Sequence, residues 1–197
     1  MGIETYGILT HNIISTFSDQ ATAYIPTPFT VLPEILNYVH RNDVVVDIGC
    51  GKGRVIWFLG SRLRLKKIVG IEIVPELAER ARRNLERYRR TLKCPVEIVE
   101  GDASKVDLSQ GTVFYLNNPF GVEMLAKVLS NIRRSLKKHE RNVLIVYKTP
   151  AHNLFPSART SDRFEPLEQS DLLDSSLWLR EMSNTKTLRA WINREKF

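Results

Sequence analysis

The stretch Val44-Val45-Val46-Asp47-Ile48-Gly49-Cys50-Gly51-Lys52-Gly53-Arg54 constrains the fold more than any other part of the chain. Branched apolar residues around a single acid read as a strand covered on both faces, the habit of a parallel sheet lying between helices. Glycines at alternate positions then let the backbone turn tightly, and the apolar run from Arg54 to about Leu63 continues as a helix. A strand that feeds a helix through so short a turn must return by a crossover, so the fold class is α/β.

The alternation continues downstream. A second strand is expected at 67–72, and Pro75 opens a helix that runs to about Leu92, with Leu77, Ala81, Leu85, Tyr88 and Leu92 on one face. Strands at 96–99 and 112–116, an amphipathic helix over 122–136 and a fifth strand at 142–147 follow. Beyond a polar loop at 150–174, segments 176–182 and 187–192 flank Ser183-Asn184-Thr185-Lys186 and read as a hairpin. Before the first strand, residues 1–42 read as a partly helical cap whose helix covers 29–40. A chain of 197 residues holds one well-cored domain, here a cap (1–42), a core (43–148) and a terminal hairpin (175–193).

The net charge of +7 either draws acidic partners such as nucleic acid or only solvates the outer helices. Apolar runs such as 143–147 are too short to span a bilayer. Residues 1–25 lack the basic start and apolar core of a signal peptide, and Tyr6 stands where a myristoylation motif has Ser or Thr. Cys50 and Cys94 have no metal-like spacing, and His11, His40, His139 and His152 stand singly, so no metal site is expected. A reduced, cytoplasmic, membrane-free protein is the expectation.

What could the glycine loop hold? A dinucleotide fingerprint would place glycine at position 54, where Arg54 stands. Asp47 would repel a pyrophosphate and suits a cationic ligand; with the loop amides it fits an amino acid end, ammonium to acid and carboxylate to N–H groups. S-adenosylmethionine has such an end, and NAD does not. Glu72, closing the second strand, is either an acceptor for ribose hydroxyls or a solvent-facing strand end. Asp102, in Glu100-Gly101-Asp102-Ala103, either accepts from an adenine amino group, with the Ala103 N–H meeting a ring nitrogen, or caps a helix.

The segments DIGCGKG, GIEIVPELAERARRN, EGDAS and YLNNPF, in this order and spacing, resemble class I S-adenosylmethionine-dependent methyltransferases. The resemblance implies an open, seven-stranded, mostly parallel Rossmann-like sheet with a C-terminal antiparallel hairpin. S-adenosyl-L-methionine would be the donor and S-adenosyl-L-homocysteine the product. It implies cofactor contacts from Asp47, Gly49, Gly51, Gly53, Glu72, Asp102 and Ala103. The Thr-Pro segment Ala23-Tyr24-Ile25-Pro26-Thr27-Pro28 is similar to one that folds over the methionine end in adenine-amino methyltransferases, which adds Tyr24 and Thr27. Amino-methylating members carry [Asp/Asn/Ser]-Pro-Pro-[Tyr/Phe] after the fourth strand; Asn117, Pro119 and Phe120 match it, and Asn118 replaces the first proline. There the polar side chain accepts from the target NH₂ and the ring stacks on its plane, so catalysis is mainly positioning. The acceptor would be an amino nitrogen of nucleic acid or protein, with charge favouring nucleic acid. A small-molecule acceptor, or a non-catalytic cofactor-binding role beside another enzyme, are the alternatives.

Overall fold

The computed structural model describes residues 3–6, 24–117 and 119–148, and the strands at 165–166, 177–181 and 188–193. Five parallel strands form the core: β1 (Val44–Ile48), β2 (Lys67–Glu72), β3 (Val96–Glu100), β4 (Val113–Asn117) and β5 (Leu144–Lys148). Three helices connect them: α2 (Arg54–Arg62), α3 (Pro75–Arg87) and α4 (Val122–Lys138); a short α1 (Leu32–Ile35) precedes the sheet. β6 (Glu165–Pro166), β7 (Leu177–Glu181) and β8 (Leu188–Asn193) extend it antiparallel, in the order β3-β2-β1-β4-β5-β8-β7-β6. The described strands number eight where seven were expected, because Glu165–Pro166 adds a two-residue rung inside the anticipated loop. The expected turn at 183–186 lies outside the described residues.

Side chains alternate between the two faces of a strand, and β1 is buried on both. Val46, Ile48, Phe114 and Leu116 face one side, where Leu125, Val128, Leu129 and Ile132 of α4 cover them. Val45, Val113 and Tyr115 face the other, under Leu32 and Ile35 of α1 and Ile56 and Leu59 of α2. Asp47 lies in register with Tyr115, so its carboxylate belongs to this second, apolar side.

Two helices are shorter than expected. The cap helix covers only Leu32–Ile35 with a 3₁₀ turn at Leu36–Tyr38, since Pro33 belongs in a first turn and not in a helix interior. Helix α3 ends at Arg87 and tightens into a 3₁₀ turn at Arg89–Thr91. There both the N–H and the hydroxyl of Thr91 donate to the Tyr88 carbonyl, at 2.9 and 2.7 Å, and close the chain at three residues instead of four.

The chain leaves β1 toward β2 and returns through β4 on its other side. Ligands of open parallel sheets bind at such a switch, outside the carboxyl ends of the strands.

Candidate active site

A cleft of about 910 Å³, its open mouth included, lies at that switch. Of the expected residues, Tyr24, Thr27, Asp47, Gly49, Glu72, Asp102, Ala103, Asn117, Pro119 and Phe120 line it. Gly51 and Gly53 do not; they build the loop behind it.

All three loop glycines have positive φ, at 75°, 55° and 80°. Gly49 opens to the cleft, and a Cβ there would sit 2.6 Å from Pro119 Cβ, so the turn after β4 rests directly on the loop after β1. A Cβ on Gly51 would fall 2.2 Å from the Tyr24 ring, which lies across the loop. The loop amides are not turned toward a ligand. Gly49 and Cys50 N–H donate to the Ile71 carbonyl at 2.9 and 3.0 Å, Gly53 N–H to Cys50 O at 3.0 Å, and Gly51 N–H to Glu72 Oε2 at 2.8 Å. The expected pairing of a ligand carboxylate with these amides is therefore corrected: β2 has already claimed the Gly49, Cys50 and Gly51 donors, and the loop itself that of Gly53.

Glu72 is buried, which removes the solvent-facing reading. Its Oε1 also accepts the Val74 N–H at 3.0 Å, and burial raises its pKa despite these donors. Asp47 is 3% exposed and its Oδ2 has no hydrogen-bond partner. Burial, and then the nearby Glu72, push its pKa up to about 8. An ionised carboxylate in such a place needs a cation.

Arg54 supplies the opposite charge. It is 5% exposed and lines the cleft. Its Nε donates to Thr5 Oγ1 at 2.6 Å and its Nη1 to the Thr27 carbonyl at 2.8 Å, while Nη2 is buried without a partner. The guanidinium carbon lies 5.0 Å from the Tyr6 ring centre and 4.5 Å from that of Phe29. The sequence pointed to Arg54 only as a missing glycine; its place in the cleft depends on Thr5, Tyr6 and Phe29, far away in the chain.

Tyr24 donates to the Thr5 carbonyl at 2.8 Å. The hydroxyl of Thr27 is 3.2 Å from that of Tyr115, and Asn117 Nδ2 donates to Thr27 Oγ1 at 3.0 Å and to Ile25 O at 3.3 Å. Tyr115 was read only as part of a strand; it is a cleft residue whose phenol is pushed up by burial. Asn118 lies outside the described residues. Phe120 is buried against Leu125 and Val128 of α4 in the core beneath the cleft.

Asp102 caps a turn, not a helix. Its Oδ1 accepts the Ser104 N–H at 2.9 Å and hydroxyl at 2.7 Å, and Lys105 Nζ stands 3.3 Å from Oδ2. Burial works to raise its pKa, but these bonds prevail and hold it low. Asn131 of α4, which the sequence did not single out, donates to Ala103 O at 3.0 Å and to Val106 O at 2.8 Å and clamps this loop. Cys50 and Cys94 are free thiols, and burial raises the pKa of both. Among the described residues no cluster could hold a metal, and no helix is long and apolar enough to cross a membrane. Arg80 and Arg83 pair with Glu4 and Glu79 at 3.2 and 2.9 Å, as a solvated helix face does.

The cleft thus buries an acid and a guanidinium, each with one unpartnered polar atom. This fits the ammonium and carboxylate of an amino acid, and Glu72 and Asp102 stand at the ends of the next two strands. Residues 45–139 match the family model described as a methyltransferase domain. The chain is 38% identical over 100 residues to a protein-lysine N-methyltransferase of Saccharolobus islandicus, covering 48% of this chain and 61% of that protein. It is 29% identical over 82 residues to a carboxy-S-adenosyl-L-methionine synthase of Salmonella paratyphi B, covering 41% of this chain and 32% of the relative. The chain therefore spans less than two thirds of the length of either relative. The crystal structure of an RNA methyltransferase from Salinibacter ruber in complex with S-adenosyl-L-homocysteine superimposes with a TM-score of 0.57 at 22% identity, covering 88% of this chain and 96% of that one. That likeness shows the α/β Rossmann-like methyltransferase fold. The match to the methyltransferase-domain model is confined to residues 45–139, just under half of the chain.

Proposed function

We propose that this chain transfers a methyl group from S-adenosylmethionine to an amino nitrogen presented at Asn117, with a protein lysine as the first candidate acceptor. The observation that carries the reading is the pair of unpartnered buried groups, Asp47 Oδ2 and Arg54 Nη2, lining one cleft. Asp47 would take the ammonium and Arg54 the carboxylate of the methionine end, Glu72 the ribose hydroxyls, and Asp102 with Ala103 the base. When bound, the donor supplies a methyl group made electrophilic by its sulfonium.

The remaining chemistry rests with the chain itself. Asn117 would accept a hydrogen bond from the target amine, and Pro119 and Phe120 would wall the turn around it. Holding the nitrogen in line is an entropic contribution, and a lysine ammonium would first give a proton to solvent, since only the neutral amine carries the lone pair. A lysine acceptor is supported by the 38% identity to a protein-lysine methyltransferase, and nucleic acid by the net charge of +7. The same reading takes β7 and β8 as the hairpin that completes a seven-strand methyltransferase sheet, β6 being an added rung, and places the protein in the cytoplasm.

The test is incubation of the pure protein with methyl-tritiated S-adenosylmethionine and an unfractionated cell extract, with Asp47→Ala as the blank. Label retained in macromolecules and released by protease supports the reading. Release by nuclease alone moves the acceptor to nucleic acid, and label in a new small product makes this a metabolite enzyme. A protein that binds donor and labels nothing is a cofactor-binding partner.

A further inference from the structure

Thr27 entered as a candidate for the methionine end of the cofactor, yet its polar atoms are engaged elsewhere. Its carbonyl accepts from Arg54, and its hydroxyl lies between Tyr115 and Asn117. We propose that Thr27 and Tyr115 are positioning residues that lock the Asn117 carboxamide with its oxygen toward the acceptor, so that the site selects an acceptor that brings an N–H. The proposal rests on the reading of Asn117 as the acceptor-facing group.

The orientation of the amide follows from the chemistry of its neighbours. The carbonyl of Ile25, 3.3 Å from the terminal atom of Asn117, can only accept, so that atom is nitrogen. Its second hydrogen goes to Thr27 Oγ1 at 3.0 Å. Both amide hydrogens are then directed at the 25–27 segment, and both lone pairs of Oδ1 are left for a donor. An amine offers one. A carboxylate acceptor does not, and it would need the amide turned round, which would set its oxygen against the Ile25 carbonyl.

The lock is held from beneath. Thr27 is 4% exposed and Tyr115 1%, so their contact at 3.2 Å is shielded from competing water. Arg54 fixes the backbone of Thr27 from the start of α2, which ties the acceptor end to the helix that follows the cofactor loop.

Thr27→Val keeps the shape and removes the hydroxyl, Thr27→Ser keeps the hydroxyl, and Tyr115→Phe removes its neighbour. Titration with S-adenosyl-L-homocysteine should give dissociation constants close to the unaltered protein for all three. Methyl transfer to extract protein should fall about tenfold or more in Thr27→Val, less in Tyr115→Phe, and recover in Thr27→Ser. In parallel, the Asn117 side-chain amide pair, assigned in ¹⁵N spectra by its loss in Asn117→Asp, should shift in Thr27→Val and return in Thr27→Ser. Unmoved amide resonances, or a cofactor affinity that falls as steeply as transfer, would overturn the proposal. If the unaltered protein labels no acceptor, the proposed function fails on its own, and the amide resonances still decide the positioning.

Discussion

Asp47 has a pKa pushed from 3.8 up to about 8, and the direction of that shift sets two pH dependences of opposite sign. The folded protein holds a proton that the unfolded chain gives up between those values. Stability from this residue is therefore greatest below 3.8 and declines as pH rises toward about 8. A ligand ammonium favours the ionised form, so cofactor affinity should rise over the same interval and level off above it. In Asp47→Asn both slopes should vanish. Titration calorimetry with S-adenosyl-L-homocysteine from pH 6 to pH 9 should show weaker, pH-independent binding. Thermal denaturation of the ligand-free variant near neutral pH should show a gain of about 1–3 kcal/mol. A variant that binds weakly and folds no better would mean that Asp47 already has a counter-charge.

Two elements, the glycine loop and the turn at Asp102, are held by residues outside them. Gly51→Ala would force a Cβ into the Tyr24 ring at a φ of +55°, and should cost about 1–2 kcal/mol in denaturant unfolding while displacing Tyr24 from the cleft. Asn131→Ala would release two carbonyls of the Asp102 turn from an amide buried at 7% exposure. Its effect should fall on S-adenosyl-L-homocysteine binding, about fivefold to tenfold weaker for about 1 kcal/mol lost. An affinity equal to that of the unaltered protein would remove Asn131 from the site. The five parallel strands were legible because apolar runs such as 44–48 and 113–116 report burial directly. So were Asp47, Glu72 and Asn117, since strand ends face the switch. The directions of the loop amides were not, because they depend on the Ile71 carbonyl and Glu72 of the adjacent strand. Arg54 was equally hidden, since the residues that desolvate it, Thr5, Tyr6 and Phe29, reach it only through the tertiary fold. Nor does the periodicity of Leu85, Tyr88 and Leu92 reveal that Thr91 closes the turn early.

At the scale of the whole molecule, a net charge of +7 stands beside a cleft that buries two acids, Asp47 and Glu72. Surface charge acts through salt and buried charge largely does not. Cofactor affinity should therefore change little with added salt, whereas capture of a nucleic acid acceptor would collapse, by about 10³-fold or more between 50 and 200 mM if several phosphates are engaged. For the lysine acceptor proposed, transfer rates over that range should vary by about threefold or less. A steep logarithmic decline would turn the assignment to nucleic acid.

On the proposed reading, the two unpartnered groups, Asp47 Oδ2 and Arg54 Nη2, would answer to the part of the donor that the reaction leaves unaltered. Spent donor carries the same ammonium and the same carboxylate, and it lacks only the methyl and the sulfonium charge. A pocket whose strongest demands are met equally before and after transfer has little reason to let go. The turnover of such an enzyme would follow the ratio of fresh to spent donor around it, and its pace would depend on how quickly another activity clears the homocysteine nucleoside away.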